Sequence, residues 1–166
     1  MCTSPSSASE ERRRLEFPLH SGGACVADGI DFTRRTLADW QLIGHPTAEE
    51  AVLVAAELLA NAAEHADGPL ALVLQRRPGR LRIAVTDRSP EPPRIDAFHR
   101  PSDAKGRGLA VVERTAAVWG SAPDGCGKRV WAELMLPGEP GAPDPGAAEE
   151  AAHAAAAAAA ATAAPR

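Results

Sequence analysis

Between residues 47 and 86 the apolar pattern changes once, from a helical to an extended period, and the turn residues marking the change leave few folds open. Residues 47–66 carry a long alanine- and leucine-rich stretch that predicts a helix. Gly44-His45-Pro46 breaks the chain before it, and Thr47 followed by Glu50 has the spacing of a capping box. Asp67-Gly68-Pro69 ends it. Residues 70–76 and 80–86 then read as two strands, joined by Arg77-Pro78-Gly79 as a hairpin.

The flanking segments extend this order. Residues 15–20 (Leu-Glu-Phe-Pro-Leu-His) alternate and predict an edge strand, where Pro18 is tolerated. Val26, Ile30, Arg34, Leu37 and Trp40 recur at near-helical spacing and predict a first helix over 24–42, despite Gly29. Residues 88–105 hold four prolines and many charges without periodicity, the mark of a functional or mobile loop. A third helix is expected over 107–118, and a last strand over 129–136, with Val130, Ala132, Leu134 and Leu136 on one face. Strand, two helices, hairpin, loop, helix and strand predict an α+β fold: a two-layer sandwich with a mixed sheet and its helices on one face. The domain is expected at 14–136. Residues 1–13 read as a disordered extension, and 137–166 as a Pro/Gly-rich and then alanine-rich tail of low complexity.

A net charge of −4 and a pI near 5.7 point away from a nucleic-acid surface. No apolar run approaches the roughly 18–20 residues of a membrane span, and the polar N-terminus lacks the core of a secretion signal. Cys2, Cys25 and Cys126 are isolated, without metal-ligand spacing, and read as reduced thiols. A cytoplasmic protein without a membrane partner is expected.

Within the second helix, Glu57, Asn61 and His65 lie at i, i+4 and i+8 and share a face. That row is either a solvated polar stripe or a site for a hard cation with its phosphates, which takes oxygen ligands. His65, in the last turn, is accounted for by the helix dipole. Asp87 ends a strand, and a buried carboxylate there needs a partner. Gly106-Arg107-Gly108-Leu109 opens the third helix; glycines let backbone amides turn toward an anion, and the helix N-terminus favours phosphate. A plain helix-start turn accounts for the same residues. Arg107, Lys105 and Arg100 offer positive charge nearby.

In these motifs, and in Gly127-Lys128-Arg129-Val130-Trp131 downstream, the chain resembles the histidine-kinase-like ATPases of the gyrase, heat-shock-chaperone and histidine-kinase superfamily. It is most similar to the small bacterial anti-sigma-factor serine kinases and their single-domain relatives. The resemblance implies ATP and magnesium as cofactors. It implies Asn61 as the magnesium ligand, Glu57 as the carboxylate that takes a proton from the attacking hydroxyl, and Asp87 as acceptor for the adenine amino group. Gly106, Arg107, Gly108 and Leu109 take the phosphate side. Two positions depart from the family pattern: Ser89-Pro90 stands where many relatives have a first glycine, and Arg129 where relatives usually have a threonine.

The function so implied is transfer of the ATP γ-phosphate to a serine of an antagonist protein, with sequestration of a sigma factor in the other state. Partners would be the antagonist, the sigma factor, or a second copy of the chain. The rival is a non-catalytic module whose bound nucleotide shapes a protein-binding surface. The ATP-binding half of a histidine kinase is disfavoured without a phospho-acceptor helix, and a conformational ATPase without a transducer domain.

Overall fold

The computed structural model describes residues 10–18, 24–93 and 108–138. Along the chain run β1 (Glu11–Glu16), α1 (Ala24–Asp39), α2 (Pro46–His65), β2 (Pro69–Arg77), β3 (Arg80–Asp87), α3 (Gly108–Thr115), β4 (Val118–Asp124) and β5 (Gly127–Met135). The strands form one sheet in the order β1-β2-β3-β5-β4. α2 lies across β2, β3 and β5, with α1 and α3 packed against it, so sheet and helices make two layers. The α+β sandwich is as expected.

Every neighbouring pair in the sheet is antiparallel, where a mixed sheet was expected. The difference comes from β4, which starts at Val118, the last residue of the expected third helix, and continues through residues 119–124, where no element is expected. Had the chain passed from β3 through α3 directly into the last strand, that strand would have run parallel to β3. An extra strand at the sheet edge reverses the chain once more and brings β5 back antiparallel between β3 and β4. Ala117 N–H already donates to Glu133 O at 2.9 Å, so α3 ends early. The sequence signal is Gly125, first of the two loop residues between Asp124 and Gly127; its φ of +62° is what a two-residue hairpin loop with glycine in first place requires.

Two further boundaries move for local reasons. β1 begins at Glu11, inside the segment expected to be disordered, and stops before Pro18, which has no N–H to give a ladder; Phe17 N–H makes the last bond, to Leu70 O. Its exposed arginines suit an edge strand, where charge discourages further pairing. α2 begins at Pro46 with His45 as its cap: His45 Nδ1 accepts from Thr47 N–H at 3.1 Å. Proline's fixed φ and missing N–H suit the first helical position, so the cap lies two residues ahead of the expected Thr47. The Thr47 hydroxyl instead donates to Met135 O at 2.8 Å and ties α2 to the end of β5.

The core lies between the layers. Val54, Leu58, Leu59 and Ala62 of α2 meet Leu72, Leu74, Leu81, Ile83, Val85, Val130, Ala132 and Leu134 of the sheet, all buried. α1 comes close to α2 at Gly29, where an added Cβ would lie 2.3 Å from Leu59 Cδ1. The glycine that looked unfavourable for a helix is therefore the residue that lets two helices touch. Gly29→Val should lower stability by about 1–3 kcal/mol, the usual cost of overpacking. Urea denaturation would check this; a variant as stable as the wild type would mean that Leu59 has room to move.

Candidate functional site

α2 starts beside Met135, which pairs with Arg80, and so begins at the end of the sheet where β3 starts. It runs with β3 and turns through Asp67 and Gly68, both at positive φ, into Pro69, which pairs with Asp87. Asp87 pairs in turn with Lys128 at the start of β5. The C-terminal half of α2, the end of β3 and the start of β5 therefore share one end of the domain.

On α2, Leu58, Leu59 and Ala62 are buried, Glu57 and Asn61 are half-buried, and His65 is exposed beside Glu64, with Nε2 3.8 Å from Oε2. The expected row is thus split: its first two members lie near the core and the third faces solvent. Glu57 reaches α3. A Cβ on Gly108 would lie 2.7 Å from Glu57 Oε2, so the carboxylate rests against the first residue of that helix. α3 has no acidic residue in its own first turn, and Glu57 supplies negative charge where the helix dipole favours it. Leu109 follows with its side chain in the core. Gly106 and Arg107 lie outside the described residues, as do Arg100, Lys105 and the loop from residue 94 on.

Asp87 is 1% exposed. Its Oδ1 accepts from Ser89 N–H at 2.9 Å and from Lys128 Nζ at 3.0 Å. Lys128 is itself buried, and its Nζ also lies 3.4 Å from Ser89 O. No donor among the described residues meets Asp87 Oδ2. Gly127 seals this end: a Cβ there would lie 1.9 Å from Asp87 O, so only glycine lets the strands approach this closely.

Sequence alone gives Lys128 no role, and Arg129 is the residue that departs from the resembled pattern. The register decides otherwise. Side chains alternate across a strand, so Lys128 shares the helix-facing side with Asp87 and Val130. Arg129 is exposed on the opposite face, where its Nη2 lies 2.6 Å from Asp124 Oδ2 and the Thr86 hydroxyl donates to the same oxygen at 3.3 Å. Arg129 is therefore a surface ion pair and no obstacle to a ligand beside Asp87.

The profile of the histidine kinase-like ATPase domain matches residues 27–131, well over half of the chain. The chain belongs to the histidine kinase-like ATPase domain family. Among curated proteins none matches it. Membership implies ATP binding, and the residues present suit it. Asp87 keeps one carboxylate oxygen without a donor among the described residues, Glu57 presents its carboxylate beside the start of α3, and Asn61 lies half-buried one turn further along α2. No three His, Cys, Asp or Glu side chains among the described residues converge into a metal cage. Magnesium takes one or two protein oxygens and completes its shell with phosphate and water, and Glu57 and Asn61 offer side-chain oxygens of that kind. Among the described residues, no helix of this histidine kinase-like ATPase domain is long and apolar enough to cross a membrane.

Proposed function

We propose that this domain is a cytoplasmic ATP- and magnesium-binding regulator of the anti-sigma-factor kinase type. It would phosphorylate a serine of an antagonist protein and, in its other state, hold a sigma factor. The single observation that carries this reading is Glu57 resting against Gly108, one turn before Asn61 on α2. A carboxylate held at the phosphate side of the site is the group that a serine hydroxyl needs when it attacks. Phosphoryl transfer otherwise requires positioning and charge neutralisation.

Bound ATP would supply the γ-phosphoryl group; the remaining roles fall to the chain. Asn61 offers its amide oxygen to magnesium without adding charge. Gly108 and Leu109 offer backbone amides at the start of α3, next to the expected Gly106 and Arg107. Asp87 Oδ2 accepts from the base amino group. Glu57 takes the serine proton as the new oxygen–phosphorus bond forms and ADP leaves.

Asp87→Asn should weaken magnesium-dependent ATP binding about ten- to a hundred-fold, the value of a charge-assisted hydrogen bond. Calorimetry on wild type and variant measures this, and a wild type that binds no ATP ends the reading. The second reading, a non-catalytic module gated by nucleotide, draws support from the dipole role that already accounts for Glu57. Labelled phosphate appearing on a candidate partner distinguishes the two.

A further inference from the structure

The Asp87–Lys128 pair does more than neutralise a buried carboxylate, because it leaves hydrogen-bonding capacity unused on both partners. An ammonium has three donors. Those of Lys128 have two acceptors among the described residues, Asp87 Oδ1 at 3.0 Å and Ser89 O at 3.4 Å. The third has none there. Asp87 Oδ2 likewise has no donor among the described residues. A free acceptor and a free donor thus sit side by side on two strands whose register pairs them directly. Both groups are desolvated, Asp87 at 1% and Lys128 at 5% exposure. A ligand that satisfies both gains more than it would in water.

The geometry points to Lys128 as a specificity-determining residue that donates directly to the ring nitrogen N1 of adenine, while Asp87 accepts from the adjacent amino group. This inference rests on the nucleotide-binding reading above and adds what selects the base. Adenine presents an exocyclic donor beside a ring acceptor. Guanine presents the reverse, an exocyclic oxygen beside a ring N–H. In one fixed orientation of the base, Asp87 and Lys128 match adenine at both points and oppose guanine at both. A carboxylate alone would select the amino group and leave the ring nitrogen to water. The ammonium replaces that water with a fixed charge whose position is set by β5.

The sequence sharpens the test, for Lys105 and Lys128 are the only lysines. Binding of ADP, 1-deaza-ADP (C–H in place of N1) and GDP should be measured by calorimetry on wild type and on Lys128→Met. Wild type should bind ADP roughly ten- to a hundred-fold more tightly than 1-deaza-ADP, as expected for a hydrogen bond to a charged donor. GDP should bind more weakly still. In Lys128→Met the gap between ADP and 1-deaza-ADP should close. Because that variant loses a buried partner and its fold is at risk, NMR of the two lysine ammonium groups in the wild type gives an independent reading. The Lys128 signal, assigned with Lys105→Arg, should shift with ADP and far less with 1-deaza-ADP.

Equal wild-type affinities for ADP and 1-deaza-ADP would overturn the inference while leaving nucleotide binding intact. So would a gap that persists in folded Lys128→Met, since water or another residue would then be the donor. GDP binding as tightly as ADP would mean the base lies turned over and would also overturn it. Failure of ADP to bind at all would remove the nucleotide reading together with this one.

Discussion

Glu57→Gln should keep the fold and most of the ATP affinity while lowering phosphotransfer to a partner serine about 10²–10⁴-fold, the usual value of a positioned general base. The substitution preserves shape, and residue 57 stays against Gly108. What it removes is the capacity to take a proton. The stability cost should be small, since the dipole interaction of one half-buried carboxylate is typically about 0.3–1 kcal/mol. Initial rates with labelled ATP, alongside calorimetry of ATP binding, separate the two effects. A modest drop in rate would mean that Glu57 only orders water. If neither protein phosphorylates any candidate, yet the wild type binds one only when ATP is present, the gated binding module replaces the kinase.

Lys128→Met should cost about 3–5 kcal/mol of stability, because it leaves Asp87 buried without its counter-charge. Loss of the attraction alone is not the main reason. Asp87 would keep Ser89 N–H but would lie unneutralised in a low-dielectric corner, which is the expensive state. Pairing the change with Asp87→Leu should recover most of the loss, since an apolar pair of similar volume is often as stable as a buried ion pair. Urea denaturation of the two single variants and the double one completes the cycle. A single variant within about 1 kcal/mol of wild type would show that water reaches the pair and that desolvation is not what holds it.

The parts of the fold legible in the sequence were those written in local chemistry. α2, the β2–β3 hairpin and the α1–α2 break were readable because periodicity and turn residues act over a few neighbours. β4 was hidden because Val118-Trp119-Gly120 continues an apolar run out of α3, and only pairing with β5 makes it a strand. Among the candidate site residues, the helix that carries Asn61 and the strand that Asp87 ends are legible from local pattern. The role of Lys128 is not, because it depends on a register between strands about forty residues apart. A slip of one residue there would have put Arg129 on the inner face instead. The reason for a glycine at 127 is hidden in the same way: its missing side chain matters only against the carbonyl of Asp87 across the sheet.

The tie between α2 and the end of β5 has a practical side. His45 Nε2 lies 3.1 Å from Pro137 O, and Thr47 holds Met135 O, so the chain leaves the sheet pinned to the start of α2. Met135 lies seven residues along the strand from Lys128, about 23 Å at 3.3 Å per residue. Gly138, the last of the described residues, therefore follows the strand end at the pole opposite the Asp87–Lys128 pair. A fluorophore, affinity handle or surface tether attached at this pole itself, beside Pro137, would sit the length of β5 away from the Asp87–Lys128 pair.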